Sequence, residues 1–129
     1  MNNFRWSMTE DDYKRMQKMR KEKTVPSNNV FRGVAIGSLL FEWCGTEDYD
    51  DWDYYYVNCF EAGVDTGYGN LNDGTPYDCI DHYLPFVSTV LSFEEFKTAV
   101  EQKIIEMARI DYKFKQKIEA DVEPKWYGF

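Results

Sequence analysis

Two spacings organise the apolar residues of this chain. Towards the carboxyl end, Phe96, Val100, Ile104, Met107, Ile110, Phe114 and Ile118 recur three and four residues apart, which lines one face of a helix. Ser92-Phe93-Glu94-Glu95 forms a capping box ahead of them, so the helix is expected from Phe93 to about Ala120, with Pro124 stopping it. Towards the amino end, Tyr13, Met16 and Met19 make a narrower stripe. Ser7-Met8-Thr9-Glu10 and Thr9-Glu10-Asp11-Asp12 both carry a hydroxyl cap with acids in the first turn, so a helix over about residues 8–23 follows. Its other faces hold Lys14, Arg15, Lys18, Arg20 and Lys21, and Pro26 and Asn28-Asn29 end it.

Between these helices the pattern is that of strands. Val30 to Trp43, rich in Val, Ile, Leu and Phe, reads as one long strand with Gly33 and Gly37 as bulge or close-approach points. A loop over 44–53 leads into a second strand, Tyr54 to Glu61. Ala62 to Gly74 is a Gly-, Asp- and Asn-rich turn region, with a short strand expected around Tyr68 to Leu71. Thr75-Pro76 can cap a helical turn reaching His82, and Phe86 to Leu91 is β-branched enough for another strand. The expected fold class is α+β: a small antiparallel sheet of three to five strands packed against a long C-terminal helix, with a shorter basic N-terminal helix. A single domain is expected over residues 1–129, with sheet and acidic loop region at 30–91 and an aromatic tail at 121–129 that holds Trp126, Tyr127 and Phe129.

Composition narrows the class. A chain of 129 residues suits one domain with its own core, and 43% hydrophobic residues argue against general disorder. Aromatics reach 18%, more than core filling requires; Tyr and Trp dominate the excess and suit half-wet surfaces, so an interface is expected. Met1 to Asp12 has no apolar signal region, and Val34 to Phe41, the longest apolar stretch, is broken by Gly37 and Ser38 and too short for a bilayer. Cys44, Cys59 and Cys79 show no framework spacing and read as reduced thiols, so a cytoplasmic location is expected.

Charge changes the picture most. Net charge is −8, but residues 1–34 carry 8 Lys/Arg against 4 Asp/Glu and residues 97–129 carry 7 against 6. No Lys or Arg lies between Arg32 and Lys97, where 13 Asp/Glu fall. The densest part is Glu47, Asp48, Asp50, Asp51 and Asp53, interleaved with Tyr49, Trp52 and the run Tyr54-Tyr55-Tyr56. Carboxylates so close lie within a Debye length of about 8 Å and repel one another. A surface under no other demand dilutes such repulsion with cations. Relief comes either from the basic first helix or from outside, as a basic partner or a cation; the plainer alternative is that the charge run is merely solvated.

Catalytic and metal-binding patterns are thin. Cys79-Ile80-Asp81-His82 is a Cys-x-x-His pair that Cys44 and Cys59 could complete as a zinc site, but only one pair is close in sequence, and buried thiols are the expectation. Cys79 with His82 as nucleophile and base needs a contact that the spacing does not supply. Asp65-Thr66-Gly67 resembles the catalytic loop of retroviral-type aspartic proteases, which are nearly all β, and the same triplet is an ordinary turn. Asn70 to Gly74 has calcium-loop residues at the wrong spacing and without the closing Glu. No phosphate-cradling glycine loop is present, and a segment without cations does not bind nucleic acid directly. Neither catalytic residues, a metal nor a cofactor is expected.

Three functions remain. A surface dense in carboxylates with aromatic anchors resembles, to a basic cleft, the phosphate backbone of nucleic acid. Small acidic phage and mobile-element proteins that block restriction enzymes or CRISPR nucleases are similar in size, charge and aromatic content. On this reading Glu47, Asp48, Asp50, Asp51 and Asp53 supply charge, with Trp52, Tyr49, Tyr54 and Tyr56 beside them as aromatic contacts, and the partner is a basic, nucleic-acid-handling protein such as a nuclease. The second is an adaptor domain, a homodimer among the options, that self-associates through acidic and basic faces. The third is a small metal- or cysteine-dependent enzyme. The first is the leading expectation.

Overall fold

The computed structural model describes residues 3–22, 30–45, 55–61 and 90–121. It is a mixed α+β arrangement with a small antiparallel sheet. The strands are β1 (Arg5–Trp6), β2 (Val30–Ile36), β3 (Leu39–Gly45) and β4 (Tyr55–Glu61), in the spatial order β1-β2-β3-β4. The helices are α1 (Glu10–Glu22), α2 (Phe93–Ile110) and α3 (Tyr112–Ile118). Among the described residues, no helix is long and apolar enough to cross a membrane.

The segment expected as one strand over Val30 to Trp43 is two. Gly37-Ser38 forms a two-residue turn, and Ile36 pairs with Leu39 across it. Gly37 has φ +57°, as the turns favoured in tight hairpins require at their first central position. A Cβ there would also collide with the carbonyl oxygens of Lys117 and Ile118. Gly33 is the expected bulge: the register steps from Arg32↔Glu42 to Val34↔Phe41. The Trp43 ring and the Phe41 carbonyl occupy the space that a side chain at Gly33 would need.

One face of the sheet carries Phe31, Val34, Ile36, Leu39, Phe41, Trp43, Val57 and Cys59 into the main core. The helices supply Tyr13, Met16 and Met19 from α1, Phe96, Val100, Ile104 and Met107 from α2, and Phe114 and Ile118 from α3. Phe96 is the meeting point. Its ring lies 4.9 Å from Tyr13, 5.7 Å from Trp43 and 6.3 Å from Trp6, centroid to centroid, which joins α1, β3 and β1 to α2. Truncating such a buried ring typically costs about 3–5 kcal/mol. In the described part, the aromatic excess therefore fills a core as much as a surface. The opposite face of the sheet holds Ala35, Leu40 and Glu42, and all three are buried.

Polar contacts fix how the elements meet. Trp6 Nε1 donates to Glu101 Oε2 at 2.7 Å, tying β1 to α2. Tyr13 Oη and Gln17 Nε2 of α1 both donate to the Leu91 carbonyl, at 2.9 and 3.1 Å. That use of its carbonyl goes with Val90 and Leu91 forming bends rather than the end of a strand from Phe86; residues 86–89 lie outside the described ones. At the hairpin tip, the Ser38 N–H and hydroxyl both donate to the Lys117 carbonyl, at 2.9 and 3.0 Å. Arg5 Nη2 donates to the Gly37 carbonyl at 3.1 Å.

Both expected helix starts hold, with Thr9 rather than Ser7 as the first cap. Asp12 N–H donates to Thr9 Oγ1 at 3.1 Å and Thr9 N–H returns to Asp12 Oδ2 at 3.3 Å. Ser92 and Glu95 form the reciprocal box ahead of α2. As formed, α1 is barely basic, its five Lys/Arg facing four Asp/Glu, three of which are in the first turn.

The long C-terminal helix is broken at Asp111. This residue is extended (φ −130°, ψ 108°), closes α2 and caps α3, its Oδ1 accepting from Phe114 N–H at 3.0 Å. Continuing the stripe from Met107 by four residues reaches position 111, where an unbroken helix would turn a carboxylate into the core. A buried unpaired charge costs more than an interrupted helix. The chain breaks, and Ile110, expected on the apolar stripe, is 81% exposed instead.

Candidate functional site

The acidic segment joins β3 to β4. These strands pair in continuous antiparallel register from Leu39↔Glu61 to Gly45↔Tyr55. Residues 46–54 therefore leave from, and return to, the end of the sheet opposite the Gly37-Ser38 turn. Glu47, Asp48, Tyr49, Asp50, Asp51, Trp52, Asp53 and Tyr54 lie outside the described residues. Tyr56 belongs to β4, in register with Cys44.

Topology still sets a bound. Partnered positions such as Gly45 and Tyr55 sit about 5 Å apart in an antiparallel pair. The backbone of a connection of this length, running out and back between ends so close, reaches no more than ~18 Å from the sheet. Five carboxylates are thus tethered within about two Debye lengths of one sheet end. Their mutual proximity follows from chain connectivity.

The described cations distribute as follows. In α1, Lys14 pairs with Glu10 at 3.1 Å and Arg15 with Asp12 at 3.6 Å, both within the helix. The Arg15 guanidinium also lies 5.1 Å from the centre of the Phe31 ring, near the sheet end from which the acidic segment departs. Lys18 and Lys21 are exposed and enter no ion pair among the described residues. Arg32 stands directly across from Glu42 in the β2–β3 register.

Glu42 is the described acid that sequence reading passed over. It is 3% exposed, and its Oε2 has no hydrogen-bond partner. Burial pushes its pKa up to about 7, opposed in part by the Arg32 charge. The signal was available: Leu39-Leu40-Phe41-Glu42-Trp43 puts one carboxylate inside an apolar run.

The chemical constellations do not assemble among the described residues. Cys59 is a buried free thiol in the main core. It pairs in register with Phe41, three residues before Cys44, and an odd separation assigns the two positions to opposite sheet faces. Cys79, His82, Asp65-Thr66-Gly67 and Asn70 to Gly74 lie outside the described residues. Among the described residues no three His, Cys, Asp or Glu side chains are grouped as a metal ion would need.

A second feature, missed because the C-terminal helix was read as continuous, is the elbow between α2 and α3. A groove of about 550 Å³ opens there, with Ile110 and Tyr112 projecting beside it. No family model, curated protein or solved structure matches this chain.

Proposed function

We propose that this protein is a non-enzymatic binding inhibitor whose acidic segment, Glu47 to Asp53, occupies the basic nucleic-acid-binding surface of another protein. One observation carries the reading: 13 acidic residues and no Lys or Arg fall between Arg32 and Lys97. Two further facts support it. The five densest carboxylates belong to the one connection whose flanking residues pair in β3 and β4, and on this reading their field adds up at that end of the sheet. Among the described residues, the ion pairs of Lys14 and Arg15 are made within α1 itself, and Lys18 and Lys21 are exposed.

The division of labour follows from interface energetics. Clustered carboxylates attract a basic cleft over long range and set the association rate, and this attraction weakens with salt. Trp52, Tyr54 and Tyr56 supply area that must be desolvated for tight binding. Phosphoryl chemistry in the same segment would want a cation beside the developing charge, and that stretch contains none.

Affinity capture from a host lysate at two salt concentrations tests the reading. The expected catch is a basic nuclease or other DNA-handling protein, released by raised salt and unable to bind DNA while complexed. Substituting Asp50, Asp51 and Asp53 with Lys together should reduce capture by a hundredfold or more, on the order of 3 kcal/mol. Equal capture by the substituted protein would sink the proposal.

A further inference from the structure

We propose that the α2–α3 elbow is a self-association surface whose occupant is the same elbow of a second copy of this chain, related by a two-fold axis. Knob and hole stand side by side there. Ile110, 81% exposed, and Tyr112, 71% exposed, project on the lip of the groove, a large apolar pair that the break at Asp111 turns out of the core. Ile105, Ala108 and Ile118 supply an apolar floor. Val90, the other large apolar side chain left exposed among the described residues, precedes the opposite end of α2. The exposed apolar surface of α2 and α3 is thus gathered at one place, as at an interaction site. The elbow is also held firmly, because Ser38 fastens the Lys117 carbonyl of α3 to the hairpin tip through two hydrogen bonds.

Charge selects the occupant. Two chains of net charge −8 repel each other, so a contact between copies is confined to a region that is not itself acidic. The charged lining of the groove is Arg109 and Lys115 against Glu119, two cations to one anion. Arg109 enters no ion pair among the described residues, and Lys115 reaches Glu119 only at 3.9 Å, a surface pair of little strength. A uniformly acidic ligand would be opposed by Glu119, and a uniformly basic one by Arg109 and Lys115. An apolar surface carrying both signs is the match, and the elbow is itself such a surface. An isologous contact sets each copy's Ile110 and Tyr112 in the other's groove and leaves neither groove open, so assembly stops at the dimer.

Elbow substitutions leave every carboxylate of residues 47–53 in place, so their outcome is separate from that of the inhibitor reading. Sedimentation equilibrium on the full chain is the test. A dimer is expected, and it should tighten as NaCl rises from about 0.02 M to about 0.5 M, because screening weakens the repulsion between acidic chains while apolar contact persists. Capture of a basic partner through the acidic segment has the opposite salt dependence. Ile110→Gln on the lip and Ile105→Gln on the floor should each weaken dimerisation at least about tenfold while the circular dichroism spectrum is unchanged. Tyr112→Ser repeats the lip test at its second residue. The decisive arm mixes the Ile110→Gln and Ile105→Gln proteins: one intact lip then meets one intact groove, so a heterodimer should form more tightly than either variant self-associates. A chain monomeric at every concentration, as it would be with another segment or a foreign peptide in the groove, overturns the proposal. So does a dimer indifferent to these substitutions, or a mixture that associates no more tightly than its components.

Discussion

Glu42 couples one side chain to the stability of the whole sheet. Its pKa in the folded protein is raised from 4.5 to about 7, chiefly by desolvation. The folded state therefore holds an extra proton between those values, and stability falls as pH rises through that window. The penalty is absent below about pH 4.5 and complete above about pH 7. Glu42→Gln should stabilise the protein by about 1–3 kcal/mol at pH 8 and by almost nothing near pH 4.5, as urea unfolding at the two pH values would measure. At this scale the glycines were readable and their roles only half so. Gly33 is the bulge expected. Gly37 makes the hairpin turn itself, hidden because apolar residues flank it on both sides and the usual Asn or Asp marker is missing.

At the scale of the element, Asp111 decides the shape of the C-terminal region. Asp111→Ala removes the acceptor for Phe114 N–H and should cost about 1 kcal/mol in urea unfolding. Amide exchange should quicken across Tyr112–Ile118 more than across the first turns of α2. Both helical stripes apart from Ile110, both capping motifs and the strand ending at Glu61 were legible, because local propensity and burial agree there. The break was not, because an apolar spacing of three and four continues through it. Only the polar residue at the seam position distinguishes one helix from two, and that distinction depends on how deep the seam is buried.

Over the whole molecule, charge is segregated along the chain, with 13 Asp/Glu and no Lys or Arg between Arg32 and Lys97. On the proposed reading the carboxylates of the acidic segment repel one another unrelieved, so raising NaCl from about 0.02 M to about 0.5 M should increase the melting temperature by about 2–5 °C. A melting temperature that falls with salt would mean that the carboxylates are already matched by the protein's own cations. The acidic character of the candidate site was fully legible in composition. That the two ends of the acidic connection meet at one end of the sheet became visible only with the strand register, which depends on pairing between residues far apart in the chain. The elbow was invisible for a related reason: exposure of Ile110 and Tyr112 is a product of the break.

The bonds at the hairpin tip carry a consequence for biosynthesis. The β2–β3 turn is fastened by Arg5 from one side and by the Lys117 carbonyl from the other. A ribosome releases Ser38 long before Lys117, so this latch cannot shut until the 79-residue separation between them has been synthesised. Until Lys117 has emerged, the Ser38 N–H and hydroxyl lack the carbonyl they donate to in the folded protein.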